Sequence, residues 1–250
     1  MAQLAGKVAI VTGGAAGFGE GIVRLFVAEG AKVVIGDLAG ERGAALAAEL
    51  GAAARYVRCD VASGTEVAAL VQACVGAFGV PDIVVNNAGT THPNQPMLEV
   101  DEASFDRVYA VNVKSIYHMA QAVVPLMRER RRGVILNVGS TAGIRPRPGL
   151  TWYNGSKGAV NVLSKSMAVE LAPDGIRVNA ICPVMGETGL LEKFMGLPDT
   201  PENRAKFVAT IPLGRLSRPS DVANAALYLA SDAAGFISGV EFPVDGARTV

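Results

Sequence analysis

The fold class this sequence predicts is α/β: one domain built on a doubly wound sheet of about seven parallel strands, with helices on both faces. Three observations carry it. Seven short, nearly continuous apolar runs rich in Val and Ile recur along the 250 residues, stretches of helical period lie between them, and 29 residues are glycine. Unbroken β-branched runs suit strands buried on both faces. Regular alternation of strand with helix calls for parallel strands joined by crossovers. Glycines suit the tight turns between them. Length alone leaves one or two domains open, but no composition break, linker or repeat divides residues 1–250.

The strand candidates are KVAIVTG (7–13), KVVIGD (32–37), ARYVRCD (54–60), DIVVNNAG (82–89), GVILNVGS (133–140), IRVNAICP (176–183) and GVEFPVDG (239–246). Between them, Val160, Leu163, Met167 and Leu171 step by three and four residues as on one helical face. SGTE at 63–66 reads as a capping box opening another helix. Arg128, Arg130, Arg131 and Arg132 fall where a helix should end, just before Gly133, and complement its dipole there. Residues 184–218 are a long gap that holds only short helices, and such an excursion reads as a flap over a site.

Composition excludes several partners. The 23 basic and 23 acidic residues balance, so no net field favours nucleic acid or an anionic membrane. Cys59, Cys74 and Cys182 are odd in number and lack metal-ligand spacing, which suits free thiols in a reducing cytoplasm and no metal. The N-terminus has no leader pattern and no run reaches membrane-spanning length, as expected of a soluble intracellular protein.

Chemistry concentrates at strand ends. The first strand runs into TGGAAGFGEGI, with Gly13, Gly17 and Gly19 before a helix, so backbone N–H groups and a helix dipole can meet a pyrophosphate. The spacing is TGxxxGxG rather than the GxGxxG of longer Rossmann dehydrogenases. Asp37 ends the second strand, eighteen residues past Gly19, a place that suits the adenosine ribose hydroxyls and repels a 2′-phosphate. It could equally cap the helix starting near Ala39. No arginine lies in IGDLAGE, although Arg42 is nearby, so NAD is favoured over NADP. Asp60 in CDV could accept from the adenine amine, and the asparagines of NNAG (86–89) hold turns or a ligand. In TWYNGSKGAV, Tyr153 and Lys157 are four apart, one helical turn, which sets phenol near ammonium.

Together, TGxxxGxG, NNAG and YxxxK, in this order and at this length, resemble the short-chain dehydrogenase/reductase family across essentially the whole chain. The resemblance implies a Rossmann-like fold and an NAD-dependent alcohol dehydrogenase or carbonyl reductase that moves a hydride between nicotinamide and substrate. It implies a catalytic set of Asn112, which kinks a helix and holds a relay water, Ser140, which bonds the reacting oxygen, Tyr153, the acid/base, and Lys157, which lowers the tyrosine pKa and grips the nicotinamide ribose. The implied cofactor set is Gly13, Gly17, Phe18, Gly19, Asp37, Asp60, Val61, Asn87, Ala88, Gly89, Tyr153, Lys157, Pro183 and Thr188. Bringing a phenol from about 10 toward neutrality takes roughly 4 kcal/mol of phenolate stabilisation, within reach of a nearby ammonium and a positive nicotinamide ring. In PVMGET, Val184 stands where the family usually has glycine, which questions the backbone path around Pro183.

Rivals are an NADPH-dependent 3-oxoacyl-carrier-protein reductase and a silent dinucleotide sensor. For the substrate, NNAGTTH, PGLTWY and GETGLLEKFMG look similar to a subgroup that oxidises benzylic or other aryl alcohols, some with an acidic ring group. His92, Arg145, Arg147, Trp152 and Glu187 are the polar and aromatic candidates, with Met185, Phe194 and Met195 as an apolar slot; His92 also suits a loop hydrogen bond, and the arginines a solvated loop. Family members are commonly homotetramers that pair two long helices, which the resemblance places here at about 102–130 and 152–172, so a homotetramer acting on a small alcohol, ketone or aldehyde is expected.

Overall fold

Two faces of apolar side chains along each central strand dictate the layering. In the computed structural model, which describes residues 2–250, β1 (Val8–Thr12) is buried at every position. Ala9 and Val11 face one core with Ile22 and Phe26 of α1 (Gly17–Ala28) and Val222 and Leu229 of α9 (Pro219–Ala230). Val8 and Ile10 face the other, with Leu70 of α3 (Gly64–Phe78), Val123 of α5 (Ser115–Arg130) and Leu171 of α6 (Thr151–Leu171). Side chains two apart share a face in a strand, so one continuous apolar run serves both helical layers.

The other strands are β2 (Lys32–Asp37), β3 (Ala54–Arg58), β4 (Ile83–Asn86), β5 (Gly133–Val138), β6 (Ile176–Pro183) and β7 (Glu241–Val244). All seven predicted runs form strands, β2 and β6 over the full predicted range and the other five trimmed at their ends. They form one sheet, ordered β3-β2-β1-β4-β5-β6-β7 and parallel throughout. The chain winds outward from β1 to β3, then returns to β4 on β1's other side. That reversal opens a crevice beyond the carboxyl ends of β1 and β4.

The remaining helices are α2 (Gly40–Leu50), α4 (Glu102–Tyr109), α7 (Leu191–Met195) and α8 (Pro201–Val208). The long helix expected at 102–130 is interrupted: a π turn over Ala110–Lys114 separates α4 from α5. Asn112 sits in that turn, bonded outward to neighbouring segments. The predicted capping box is half formed. Ser63 Oγ accepts from Glu66 N at 3.3 Å, but the Glu66 carboxylate turns to Asp60 N and Arg58 instead, both at 2.9 Å.

The arginine cluster does end α5, and three of its members have carboxylate partners: Arg128 pairs with Asp174, and Arg130 and Arg132 converge on Asp82 at 3.1 and 3.2 Å. Asp82 also accepts from Val8 N at 3.0 Å, tying the start of β1 to the β4 side. All three cysteines are free and buried. Residues 184–218 leave the sheet after β6, and Val184, Met185, Leu191, Met195, Ile211 and Leu216 form a small core there. Among the described residues, no helix is long and apolar enough to cross a membrane.

A buried polar chain fixes register where β4, β5 and α6 meet. Asn86 Nδ2 donates to Asn137 Oδ1 at 2.8 Å, and Asn137 Nδ2 donates to Ser164 Oγ at 2.9 Å. Asn137→Ala strands the Asn86 amide, so a loss of about 2 kcal/mol is expected. A thermal melt should show it as a fall of roughly 4–8 °C; an unchanged midpoint would show that the chain contributes nothing to stability.

Candidate functional site

The crevice is cradled by the loop after β1. Gly13 adopts φ 61° and Gly17 φ 54°, and a Cβ on Gly13 would come within 2.8 Å of Ala88 Cα. Side chains are excluded there by backbone, not by taste. The first turn of α1 has no side-chain cap on Ala16, so its N–H groups point into the crevice as donors for an anion. Thr12, unremarked in the sequence beyond its place in the glycine motif, joins the two sides. Its Oγ1 accepts from Asn87 N and Ala88 N, both at 3.1 Å. Asn87 Nδ2 in turn donates to the carbonyls of Thr12 and Gly13 at 2.9 and 3.0 Å.

Asp37 reaches the same crevice, its carboxylate accepting from Ala15 N and Ala39 N at 2.9 Å each. Asp37 therefore faces the cleft and closes a turn onto Ala39 N, but it does not cap α2, whose N-cap is Ala39 and carries no side-chain bond. Each carboxylate oxygen keeps a further lone pair. Asp60 accepts from Ala62 N at 3.0 Å and pairs with Arg107 at 3.4 Å.

The whole cleft measures about 520 Å³, and every residue of the expected cofactor set lines it except Gly19. A Cβ there would run into the Gly13 carbonyl and the Asn87 side chain, so Gly19 shapes the loop from behind. Thr188 closes the cradle from the excursion, its methyl 3.1 Å from where a Gly17 Cβ would stand. Val184 lines the cleft and is buried, with N donating to Val244 O at 3.2 Å. Its φ is not in the left-handed range, so the backbone after Pro183 does not require the usual glycine.

Ser140, Tyr153 and Lys157 meet on one wall. Ser140 opens a short 3-10 turn, its Oγ accepting from Ala142 N at 3.0 Å. Tyr153 and Lys157 lie one turn apart near the start of α6. The Tyr153 ring meets Phe194 edge-on at 5.1 Å. Lys157 Nζ donates to Val138 O at 2.7 Å and lies 6.0 Å from the Tyr153 ring centroid. Asn112 stands behind this wall. It accepts from Thr90 N at 2.9 Å and donates to Thr90 O and Ser156 Oγ, both at 3.0 Å. Its side chain thus braces the loop after β4 against α6, and Thr90 and Ser156 are partners the motifs alone did not mark.

Burial dominates the titration of this pair. It pushes the Tyr153 phenol up to about 12, against the pull of the Ser140 hydroxyl and the Arg147 guanidinium. It pushes the Lys157 ammonium down to about 8. In the protein alone the Lys157 ammonium donates to the Val138 carbonyl and is itself desolvated.

The substrate candidates divide. Arg147 lines the cleft, as do Met185 and Phe194. His92 is buried outside it, with Nδ1 donating to Pro93 O at 2.8 Å. Trp152 turns away, donating from Nε1 to Met97 O at 3.1 Å and packing edge-on against Phe105. Arg145 reaches the C-terminal segment, donating to Arg248 O at 2.9 Å. Glu187 is exposed at a shallower recess beside Gly17, 4.0 Å from Arg204. Met195 lies in the small core of the excursion. Among the described residues, no cluster of His, Cys, Asp or Glu could hold a metal.

Comparison with known proteins agrees with this geometry. A family model described as enoyl-(acyl carrier protein) reductase matches residues 13–248. The chain is 50% identical over 247 residues to a 4-formylbenzenesulfonate dehydrogenase of Comamonas testosteroni, covering 98% of each chain.

The chain belongs to the short-chain dehydrogenase/reductase family.

Another relative, at 41% identity over 244 residues, is a 3-alpha-(or 20-beta)-hydroxysteroid dehydrogenase of Mycobacterium tuberculosis, covering 98% of this chain and 90% of that one. Among solved structures, a 3-ketoacyl-(acyl-carrier-protein) reductase from Brucella melitensis complexed with NADH superposes with TM-score 0.94 at 45% identity, covering 99% of this chain and 100% of that one. This family member is an oxidoreductase that uses a nicotinamide dinucleotide to interconvert an alcohol and a carbonyl by hydride transfer.

The lysine shift has a measurable sign. A folded pKa near 8 against an ordinary value of 10.5 means the unfolded chain binds more protons between those pH values, so stability rises with pH across that window. Below pH 8 the cost of burying the charge is present in full. Wild-type melting temperature minus that of Lys157→Met should therefore increase from pH 7.5 to 9.5 in cofactor-free protein, and a flat difference would contradict the shift.

Proposed function

We propose that this enzyme is specific for NAD and oxidises an aryl-bearing alcohol to its carbonyl, with Tyr153 as acid/base, Ser140 holding the reacting oxygen and Lys157 positioning both phenol and ribose. The observation that carries it is the convergence of Ser140, Tyr153 and Lys157 on one wall of a cleft whose other end holds Asp37. The glycine cradle, where a Cβ would strike backbone, and the uncapped start of α1 fit a dinucleotide pyrophosphate. Asp37 fits ribose hydroxyls and opposes a 2′-phosphate. When bound, nicotinamide supplies a hydride acceptor and, oxidised, a positive charge. Asn112 keeps the loop after β4 fixed against α6 as a positioning residue.

The aryl reading rests on the cleft wall of Tyr153, Phe194 and Met185, which suits a flat ring, and on the 50% identical relative, named for 4-formylbenzenesulfonate. A 3-oxoacyl-carrier-protein reductase is the second reading, favoured by the Brucella neighbour. In this proposal the chain works as one domain, with 184–218 as a flap over the substrate. Exposed apolar Val162 and Val169 on α6, together with Phe236, support a homotetramer, and three free buried thiols suit the cytoplasm.

Tyr153→Phe should lose nearly all turnover while binding NADH within a few-fold, since only the proton-transferring hydroxyl goes. Wild-type-like rates in that variant would sink the mechanism. In oxidation the phenolate is the base, so the rate should rise with pH. Ser140→Ala removes a hydrogen bond that pulls the phenol down, so whatever rate remains should need a higher pH. A profile that moves the other way contradicts the assignment.

For the cofactor, kcat/KM with NAD should exceed that with NADP by at least about tenfold, from carboxylate–phosphate repulsion. Asp37→Ala should narrow the gap. Equal rates in the wild type would remove the argument and favour the reductase reading.

A further inference from the structure

One arginine in the cleft has no counter-charge. Arg147 lies on the loop between Ser140 and α6, its backbone held by Asn154 Nδ2, which donates to Arg147 O at 2.8 Å. Its guanidinium lines the cleft beside Tyr153. Among the described residues, no carboxylate comes within 4.0 Å of it and no acceptor takes a hydrogen bond from it. Other half-buried arginines are satisfied: Arg130 by Val80 O and Asp82, Arg177 by Ile237 O and Ser231 O.

What holds Arg147 is neutral. Its guanidinium carbon sits 5.7 Å from the centre of the Phe207 ring on α8, a contact that orients the planar fork without cancelling its charge. The charged or titratable groups that bear on it are Tyr153 and Arg248, the latter also positive. A half-buried cation without a partner costs stability, and a planar fork aimed into a cleft fits an anion bidentately.

Resting on the aryl-alcohol reading, we propose that Arg147 is the specificity-determining residue that binds an anionic substituent, carboxylate or sulfonate, on the substrate ring. Arg145, two residues away in sequence but engaged with Arg248 O, has no part in this. The excursion contributes through Phe207, whose ring orients the fork. A neutral substrate leaves the charge unanswered and binds more weakly.

The test compares kcat/KM with NAD for 4-carboxybenzyl, 4-sulfobenzyl and unsubstituted benzyl alcohol in the wild type, Arg147→Met, Arg147→Lys and Arg145→Met. The wild type should prefer at least one anionic alcohol over the neutral one by about tenfold or more, the scale of a charged hydrogen bond. Arg147→Met should collapse that preference, mainly through KM; Arg147→Lys should restore part of it; Arg145→Met should leave it intact. The carboxylate and sulfonate arms show which anion the fork accepts. An equal loss for all three alcohols in Arg147→Met, with the acid limb of the pH profile displaced, would overturn the proposal and make Arg147 a tuner of the Tyr153 phenol. Collapse in Arg145→Met alone would overturn it too.

If every benzyl alcohol is inert while a 3-hydroxyacyl thioester turns over, the aryl-alcohol reading fails. Calorimetric titration of the NAD-loaded enzyme with benzoate and benzenesulfonate then still decides the arginine. Binding weakened about tenfold or more by Arg147→Met upholds the anion site, and equal binding ends it. NADH titration of each variant reports whether it is folded.

Discussion

The junction between β1 and β4 is the constraint on which the rest of this protein depends. Two strands that are neighbours in space but separated by three crossovers in sequence must end at the same height, with loops diverging to opposite sides. The Thr12 hydroxyl and the Asn87 amide lock them there with four hydrogen bonds across the gap. Because that stitch fixes both loops, the glycine turn can come close to backbone on its far side without collapsing into the crevice. Every other wall is placed relative to it: Asp37 through Ala15 N, and Gly89 and Thr90 through Asn112.

A second constraint is dielectric. Tyr153 and Lys157 lie on one helical face inside the protein, and burial disfavours the charged form of each. The resting site therefore stores a neutral phenol and an ammonium that gives up its proton easily. A positive charge brought to this wall would lower the phenol toward its base form, whereas the ammonium would need an acceptor of its protons to stay charged.

Much of this was legible in the amino acids. The central apolar runs became strands because each feeds two helical layers, and the edge runs at β3 and β7 followed from their alternation with helices, a pattern that needs no tertiary knowledge to read. The glycine loop, Asp37, Tyr153 and Lys157 were legible because each depends on position relative to a strand end or a helical turn. What was not legible depends on long-range partners. The resemblance implied a kink at Asn112, but its form, a π turn over 110–114 held from outside by Thr90 and Ser156, depends on those distant partners. Arg145 and Arg147 are indistinguishable in sequence, two apart on one loop. They separate only because the C-terminal carbonyl of Arg248 lies under one and the Phe207 ring under the other. Likewise, nothing in YxxxK says that the lysine would be drawn to Val138 O.

The excursion after β6 carries a consequence of its own. Its neck is pinched by one parallel bridge between Gly186 and Ser217, with Ser217 Oγ donating to Val184 O at 3.2 Å. Beyond the neck it has its own apolar centre, apart from the two large cores of the sheet. The segment is tied to the rest of the chain also by Asn94 N, which donates to Lys193 O at 3.0 Å, and by Leu213 N, which donates to Gly246 O at 3.2 Å. Its apolar centre is nevertheless its own, so residues within that centre can be exchanged with little cost to the sheet. Selection for a new substrate would then act on one interchangeable part of the chain, while the nucleotide half of the molecule stays as it is.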